Sequence, residues 1–241
     1  MLASAIAIVR ENWLLLLIGQ YPQGPLGGLA ATLLLSVLGI GLAFPVSIAL
    51  ALARLSRWRL LRVPATGLVY IVRGIPLLII IFWVYFIFPL ALHMQVSGFG
   101  TMVCTLVLYE GVFLSEVVRA GIESLPRGQI DASRALGHSY LGAMRHVILP
   151  QALYNMLPSM LSQFVSTIKD TSLGYIINVP ELTFAANQLN NRLLTEPFEV
   201  FLILALTYYA VCATVTRTAD WLEGRVAIRR AGPPVIVEVA T

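Results

Sequence analysis

Five long apolar runs divide this chain, at about Leu29 to Ala53, Gly74 to Leu92, Phe99 to Val118, Met156 to Ile177 and Phe198 to Thr216. Each reaches the roughly 20 residues that a helix needs to cross a bilayer. Their length and predominantly apolar character predict an all-α integral membrane protein with five transmembrane helices. The second run is overlong, because its apolar character extends back to Val63, and Pro76 is placed to bend it. Composition agrees: 58% of residues are hydrophobic and 12% charged, about half the charged share of an ordinary soluble domain.

Between the third and fourth runs lies a polar insert, GQIDASRALGHSYLGAMRHVILPQ, from Gly128 to Gln151. Pro126 suits a first helical turn, Gly128 to Leu136 can form a short helix, and Gly137 can close it in a left-handed cap. Ser139 is a candidate N-cap for a second helix through Val147, with Pro150 marking the turn into the fourth run. A connecting loop, a DNA-recognition unit or a docking surface for a partner would each account for such an insert. DNA recognition would require a helix free to enter a major groove and side chains that read bases, and isolated arginines do not supply these.

The net charge of +4 matters less than its placement. Arg54, Arg57, Arg59 and Arg62 follow the first run, Arg119, Arg127, Arg134 and Arg145 the third, and Arg217, Arg225, Arg229 and Arg230 the fifth. Only Arg10, ahead of the first run, and Arg192, in a loop before the fifth run, fall on the opposite side. Short cytoplasmic loops retain lysine and arginine, so the three basic segments are expected inside, with the amino terminus outside and the carboxyl terminus cytoplasmic. Three regions follow: an interfacial lead-in over 1–25, a transmembrane domain over 26–228 with its cytoplasmic loop at about 119–150, and a flexible cytoplasmic tail over 229–241. Cys104 and Cys212 fall within apolar runs and read as small core residues. His93, His138 and His146 have no metal-ligand spacing, and no metal site is expected.

At the insert the chain closely resembles the permease subunits of ABC importers, specifically the polar amino-acid permeases of the histidine, glutamine, glutamate and arginine type. Their cytoplasmic signature, the EAA loop, is written approximately Gly-Gln-x-Glu-Ala-Ala-x-Ala-Leu-Gly, followed after nine residues by Ile-x-Leu-Pro-Gln-Ala. It stands here as Gly128-Gln129-Ile130-Asp131-Ala132-Ser133-Arg134-Ala135-Leu136-Gly137, then Val147 and Leu149-Pro150-Gln151-Ala152. Asp131 replaces a glutamate and Ser133 an alanine. Arg73-Gly74-Ile75-Pro76-Leu77, Glu116-Val117-Val118-Arg119 with Gly121-Ile122, and Lys169-Asp170-Thr171-Ser172-Leu173 resemble further strings of the family, in the same order.

The resemblance implies a type I ABC importer permease in a bacterial cytoplasmic (inner) membrane, with its 128–137 helix seated in a dimer of separate ATPase subunits. The expected partners are a second permease subunit, identical or paralogous, an extracytoplasmic binding protein that delivers the amino acid, and membrane lipid, but no nucleic acid. No cofactor is expected in this chain, since ATP and Mg would be bound by the ATPase subunits, and the chain itself is expected not to be an enzyme. The alternative class is an ion-gradient-driven secondary transporter or channel, in which Glu110 would carry the proton.

Charges within the apolar runs narrow the chemistry, because ionisable groups in hydrocarbon mark pairs, cavities or paths. Glu116, Arg119 and Glu123 lie three and four residues apart and predict an ion-pair ladder on one helix face. Glu110 has no charge at that spacing and needs a partner from another helix, water or substrate. Lys169 and Asp170 are adjacent, so they diverge on a helix. With Thr171 and Ser172 they could meet the carboxylate and ammonium of an amino acid, or fix packing. Arg73 snorkels to the interface, or meets a substrate carboxylate if Pro76 turns it inward.

Overall fold

In a computed structural model, which describes residues 2–93 and 96–231, the chain is helical throughout apart from short links. The elements are α1 (Leu2–Ile18), α2 (Gly28–Leu55), α3 (Arg59–Gly74), α4 (Leu77–Phe82), α5 (Phe88–Leu92), α6 (Gly98–Glu123), α7 (Arg127–Ala135), α8 (Tyr140–Ala143), α9 (Leu149–Asp170), α10 (Leu182–Leu193) and α11 (Pro197–Ala231). Among the described residues three helices are long and apolar enough to cross a membrane, α2, α6 and the Pro197–Trp221 part of α11, or four if the bent pair α3 with Leu77–Ala91 counts as one span. Five were expected. The shortfall falls on α9, which is long enough but carries Gln151, Asn155, Ser159, Ser162, Gln163, Ser166, Lys169 and Asp170.

Prolines explain most departures from straight helix. Pro76 caps α4 at a bend of 107° between Arg59–Gly74 and Leu77–Ala91, so the overlong second run is two helices and not one. Pro89 and Pro150 do not break the chain. Each follows a five-residue π turn, Trp83–Ile87 and Met144–Ile148, and the residue just before the proline bonds five residues back, Phe88 N–H to Trp83 O and Leu149 N–H to Met144 O. A proline lacks a donor and crowds the carbonyl four residues earlier, and a wider turn relieves both. The expected turn at Pro150 is therefore absent, and α8 runs on into α9 as one helical rod.

The fourth run also ends differently. α9 stops at Asp170, and Thr171–Ile177 tighten into a 3-10 helix closed by Asn178 at φ 59°. The segment before the fifth run, read as a loop containing Arg192, is the helix α10. The lead-in contains α1, which packs Ile8 and Leu16 against Leu182, Ala186 and Leu189 of α10 and Val200 and Ile203 of α11. α11 extends through Ala231, and the rest of the tail lies outside the described residues.

Three further clusters join the bundle, one of them Val69, Val72, Ile80 and Val112 between α3, α4 and α6. Leu35 of α2, Leu77 and Ile81 of α4, Met102 and Leu106 of α6, and Ile177 and Val179 pack together around one half. Around the other, Ala51, Val118, Ile122, Met144, Ile148, Ala152 and Met156 join α2, α6, the second π turn and α9. Gly28, at φ +58°, brings the start of α2 against α1, where a Cβ would meet the Leu15 and Leu16 carbonyls. Only glycine enters that backbone region without penalty.

Candidate functional site

α7 packs one edge against the second π turn and exposes the rest of its surface. Gly128, Gln129, Asp131, Ala132, Arg134, Ala135, Leu136 and Gly137 are exposed, whereas Ser133 is buried and Ile130 packs into the cluster around Ile148. The punctuation is as expected: Gly137 takes φ +89°, and the Ser139 hydroxyl accepts from Gly142 N–H at 3.1 Å. Leu136, 84% exposed, and Leu141, 78% exposed, project beside the charged positions. Exposed leucines next to an acid and an arginine suit a protein partner better than bulk water. The His138 and His146 rings stack with centroids 6.1 Å apart, and no group of metal-ligating side chains exists among the described residues.

Behind α7, the ladder expected from spacing is present. Arg119 donates to Glu116 at 2.9 Å and to Glu123 at 2.6 Å. Two partners came from elsewhere: Arg54, at the end of α2, reaches Glu116 at 2.6 Å, and Arg73, at the end of α3, reaches it at 3.2 Å. One carboxylate thus ties three helices. Arg73 also lies over the Phe113 ring, 5.7 Å from its centroid, and so sits apart from the other path candidates.

Those others gather toward the far half of α9. Glu110 is wholly buried, and its Oε2 accepts from the Gln163 amide at 2.7 Å. Its Oε1 has no hydrogen-bond partner among the described residues. The acid therefore faces α9 from within the bundle and does not line an open surface. Asp170 and Ser172 are partly buried, Lys169 is exposed, and Thr171 is buried with its hydroxyl bonded to Ile168 O at 2.7 Å.

Along α9, Gln151, Asn155, Ser159, Ser162, Ser166 and Asp170 recur at three- and four-residue steps and so share one face, and all are at least partly exposed. Where it meets α6 this stripe borders an open groove of about 440 Å³ lined by Glu116, Ala120, Ser124, Asn155 and Ser159 among others. A polar accessible stripe on a helix within an apolar bundle is out of place against hydrocarbon, and belongs against water or another polar surface.

A buried group missing from the candidates read in sequence holds the opposite end. Glu181 is wholly buried and caps α10, accepting from Thr183 N–H and Phe184 N–H at 2.8 Å each, and Tyr208 of α11 donates to it at 3.0 Å. Leu182 N–H donates to the Thr32 hydroxyl at 3.1 Å, and Gly28 N–H to Pro180 O at 2.9 Å. The signal was available: a proline and an acid ahead of the helical pattern Leu182, Ala185, Ala186, Leu189 is a helix start.

Residues 43–228 match the family described as binding-protein-dependent transport system inner membrane component. The chain is 34% identical over 215 residues to a probable glutamine ABC transporter permease protein of Bacillus subtilis, covering 86% of this chain and 98% of that one. It is 33% identical to a glutamate transport system permease protein of Corynebacterium glutamicum, covering 89% and 79%. The structure is similar, with a TM-score of 0.79 and 26% identity over 91% of this chain and 97% of the other, to a chain in the crystal structure of an amino acid ABC transporter with histidines. These likenesses do not favour an ion-gradient-driven carrier, and they make the chain a transport subunit, not an enzyme. The chain belongs to the family of binding-protein-dependent transport system inner membrane components, the permeases of ABC importers.

Proposed function

We propose that this permease imports polar amino acids across a bacterial inner membrane, with α9 lining the path and α7 carrying the drive from an ATPase dimer. The single observation that supports the reading is the polar accessible stripe of α9, which is joined to the exposed α7 region through one uninterrupted helical rod from Tyr140 to Asp170. In this reading α9 is the additional span despite its polarity, because its stripe faces the path and a second permease subunit instead of lipid. Five spans then put the amino terminus outside and α7 in the cytoplasm, where the basic segments belong.

The 128–137 helix presents Asp131 and Arg134 to the ATPase subunit, with Leu136 as an apolar contact. ATP and Mg act there, and a binding protein outside delivers the amino acid. ATP binding biases the permease between inward and outward access, because it favours one arrangement of a two-state element. At the other end of α9, Lys169 and Asp170, with Ser172, offer a cation and an anion to a zwitterion, whereas Thr171 is buried and bonds the Ile168 carbonyl instead. Glu110 supports this end from behind. Arg73 serves the cytoplasmic ion network and not the solute.

The experiment is reconstitution of this chain with its ATPase and binding proteins. Joint replacement Asp131→Ala and Gly137→Val is expected to lower ATP-driven uptake at least about tenfold, the loss of roughly 1.4 kcal/mol of coupling, while membrane insertion is unchanged. Normal uptake by that double variant would refute the coupling role.

A further inference from the structure

The elbow between α2 and α3 presents a second surface, unrelated to the solute path. Arg57, Trp58, Arg59, Leu60, Leu61, Arg62 and Val63 are exposed without interruption, Trp58 by 73% and Leu60 by 89%. α3 buries only Ala65, Val69 and Val72. On its free side, helical spacing puts Leu60, Val63, Gly67 and Ile71 in one apolar row, with Arg59 and Arg62 in the row beside it. No acidic residue occurs between Glu11 and Glu110. Nearby Glu116 and Glu123 are taken by Arg54, Arg73 and Arg119. Arg57, Arg59 and Arg62 have no ion-pair partner among the described residues.

We infer that this elbow is a binding site for anionic phospholipid headgroups of the leaflet on the α7 side. The inference rests on the chain being a membrane permease with Arg54 and α7 at the same face. An apolar row beside a cationic row, opened by a tryptophan, is the pattern of a helix lying at headgroup depth. Leu60, Leu61 and Val63 enter the acyl boundary, and the arginines meet phosphate, which a guanidinium grips with two donors. An acidic protein surface would satisfy the charges but leave the apolar row against water. The site also has a route to transport: the far end of α3 carries Arg73, which shares Glu116 with Arg54, so the lipid-held attitude of α3 sets a contact on α6.

The test has two readouts. Native mass spectrometry of the purified chain measures retained phosphatidylglycerol, and ATP-driven uptake by the assembled importer is compared in phosphatidylcholine vesicles with and without phosphatidylglycerol. Each arginine is expected to be worth about fivefold in lipid affinity, so Arg57→Gln, Arg59→Gln and Arg62→Gln together should abolish retention. Uptake by the unaltered importer should rise with phosphatidylglycerol, whereas the triple variant should be insensitive to it and match the unaltered importer in phosphatidylcholine. Unchanged retention in the variant overturns the proposal. Loss of ATPase co-purification in detergent without phosphatidylglycerol also overturns it, by making the elbow a protein contact. If the unaltered chain supports no ATP-driven uptake in any lipid, the permease reading fails, and retention still decides the lipid site.

Discussion

Glu181 and Glu116 solve the same problem, a carboxylate inside a membrane bundle, in opposite ways. Glu181 is closed off by two backbone N–H groups and a tyrosine, all neutral and all held by α10 and α11. Glu116 is held by three guanidiniums on α2, α3 and α6, and its side chain is 19% exposed. Neutral donors fixed by backbone geometry permit one arrangement. Long charged side chains can exchange partners as helices shift, at little cost where water reaches them. The Glu181 end is built as a fixed frame, and the Glu116 end as a joint next to α7, the segment proposed to meet the ATPase.

The contrast can be broken most directly at the frame. Glu181→Ala removes the α10 cap and a partner of Tyr208, and should cost about 2–3 kcal/mol, with Glu181→Gln, which keeps an acceptor, recovering most of the loss. Thermal unfolding in detergent measures it, and an unchanged midpoint for the alanine variant would remove Glu181 from the frame.

The joint should respond less in stability and more in function. Glu116→Ala leaves the Arg54 guanidinium, whose side chain is 8% exposed, without its nearest acid. A fully buried broken pair would cost more, and partial exposure here reduces the expected loss to about 2 kcal/mol. Uptake should fall further than that loss of folded protein explains. Equal fractional losses of folded chain and uptake would make Glu116 merely structural.

At the outer rung, Glu123→Gln should cost at most about 0.5 kcal/mol, since both partners are substantially exposed, and the difference should vanish in high salt. The Glu181→Ala loss should persist in the same salt. A salt-sensitive frame, or a salt-insensitive rung, would erase the distinction between the two ends.

The rung was legible in sequence and the joint was not, because Glu116, Arg119 and Glu123 obey helical spacing while Arg54 and Arg73 lie 62 and 43 residues from their acid. Tertiary packing supplies that information. The same holds for Glu110, whose need for a partner was readable but whose partner, Gln163, was not. Gly137 and Ser139 were readable because caps are local. α10 escaped as a loop because its polar face masked a regular apolar one, and α9 has the length of a span while its polarity runs against that reading. The likeness of motif strings carried the assignment of family, which periodicity alone could not give.

The π turn beside Pro150 gives the α9 stripe a defined phase. It holds one residue more than α-helical geometry requires, and an α-helix turns about 100° per residue. The azimuth at which Ser159, Ser166 and Asp170 leave the rod is therefore set near Met144–Ile148, far from those residues themselves. Tightening that turn would swing the whole stripe by about 100° without remaking any of its side chains. On the proposed reading, where the path faces is encoded one proline away from the loop that receives the push.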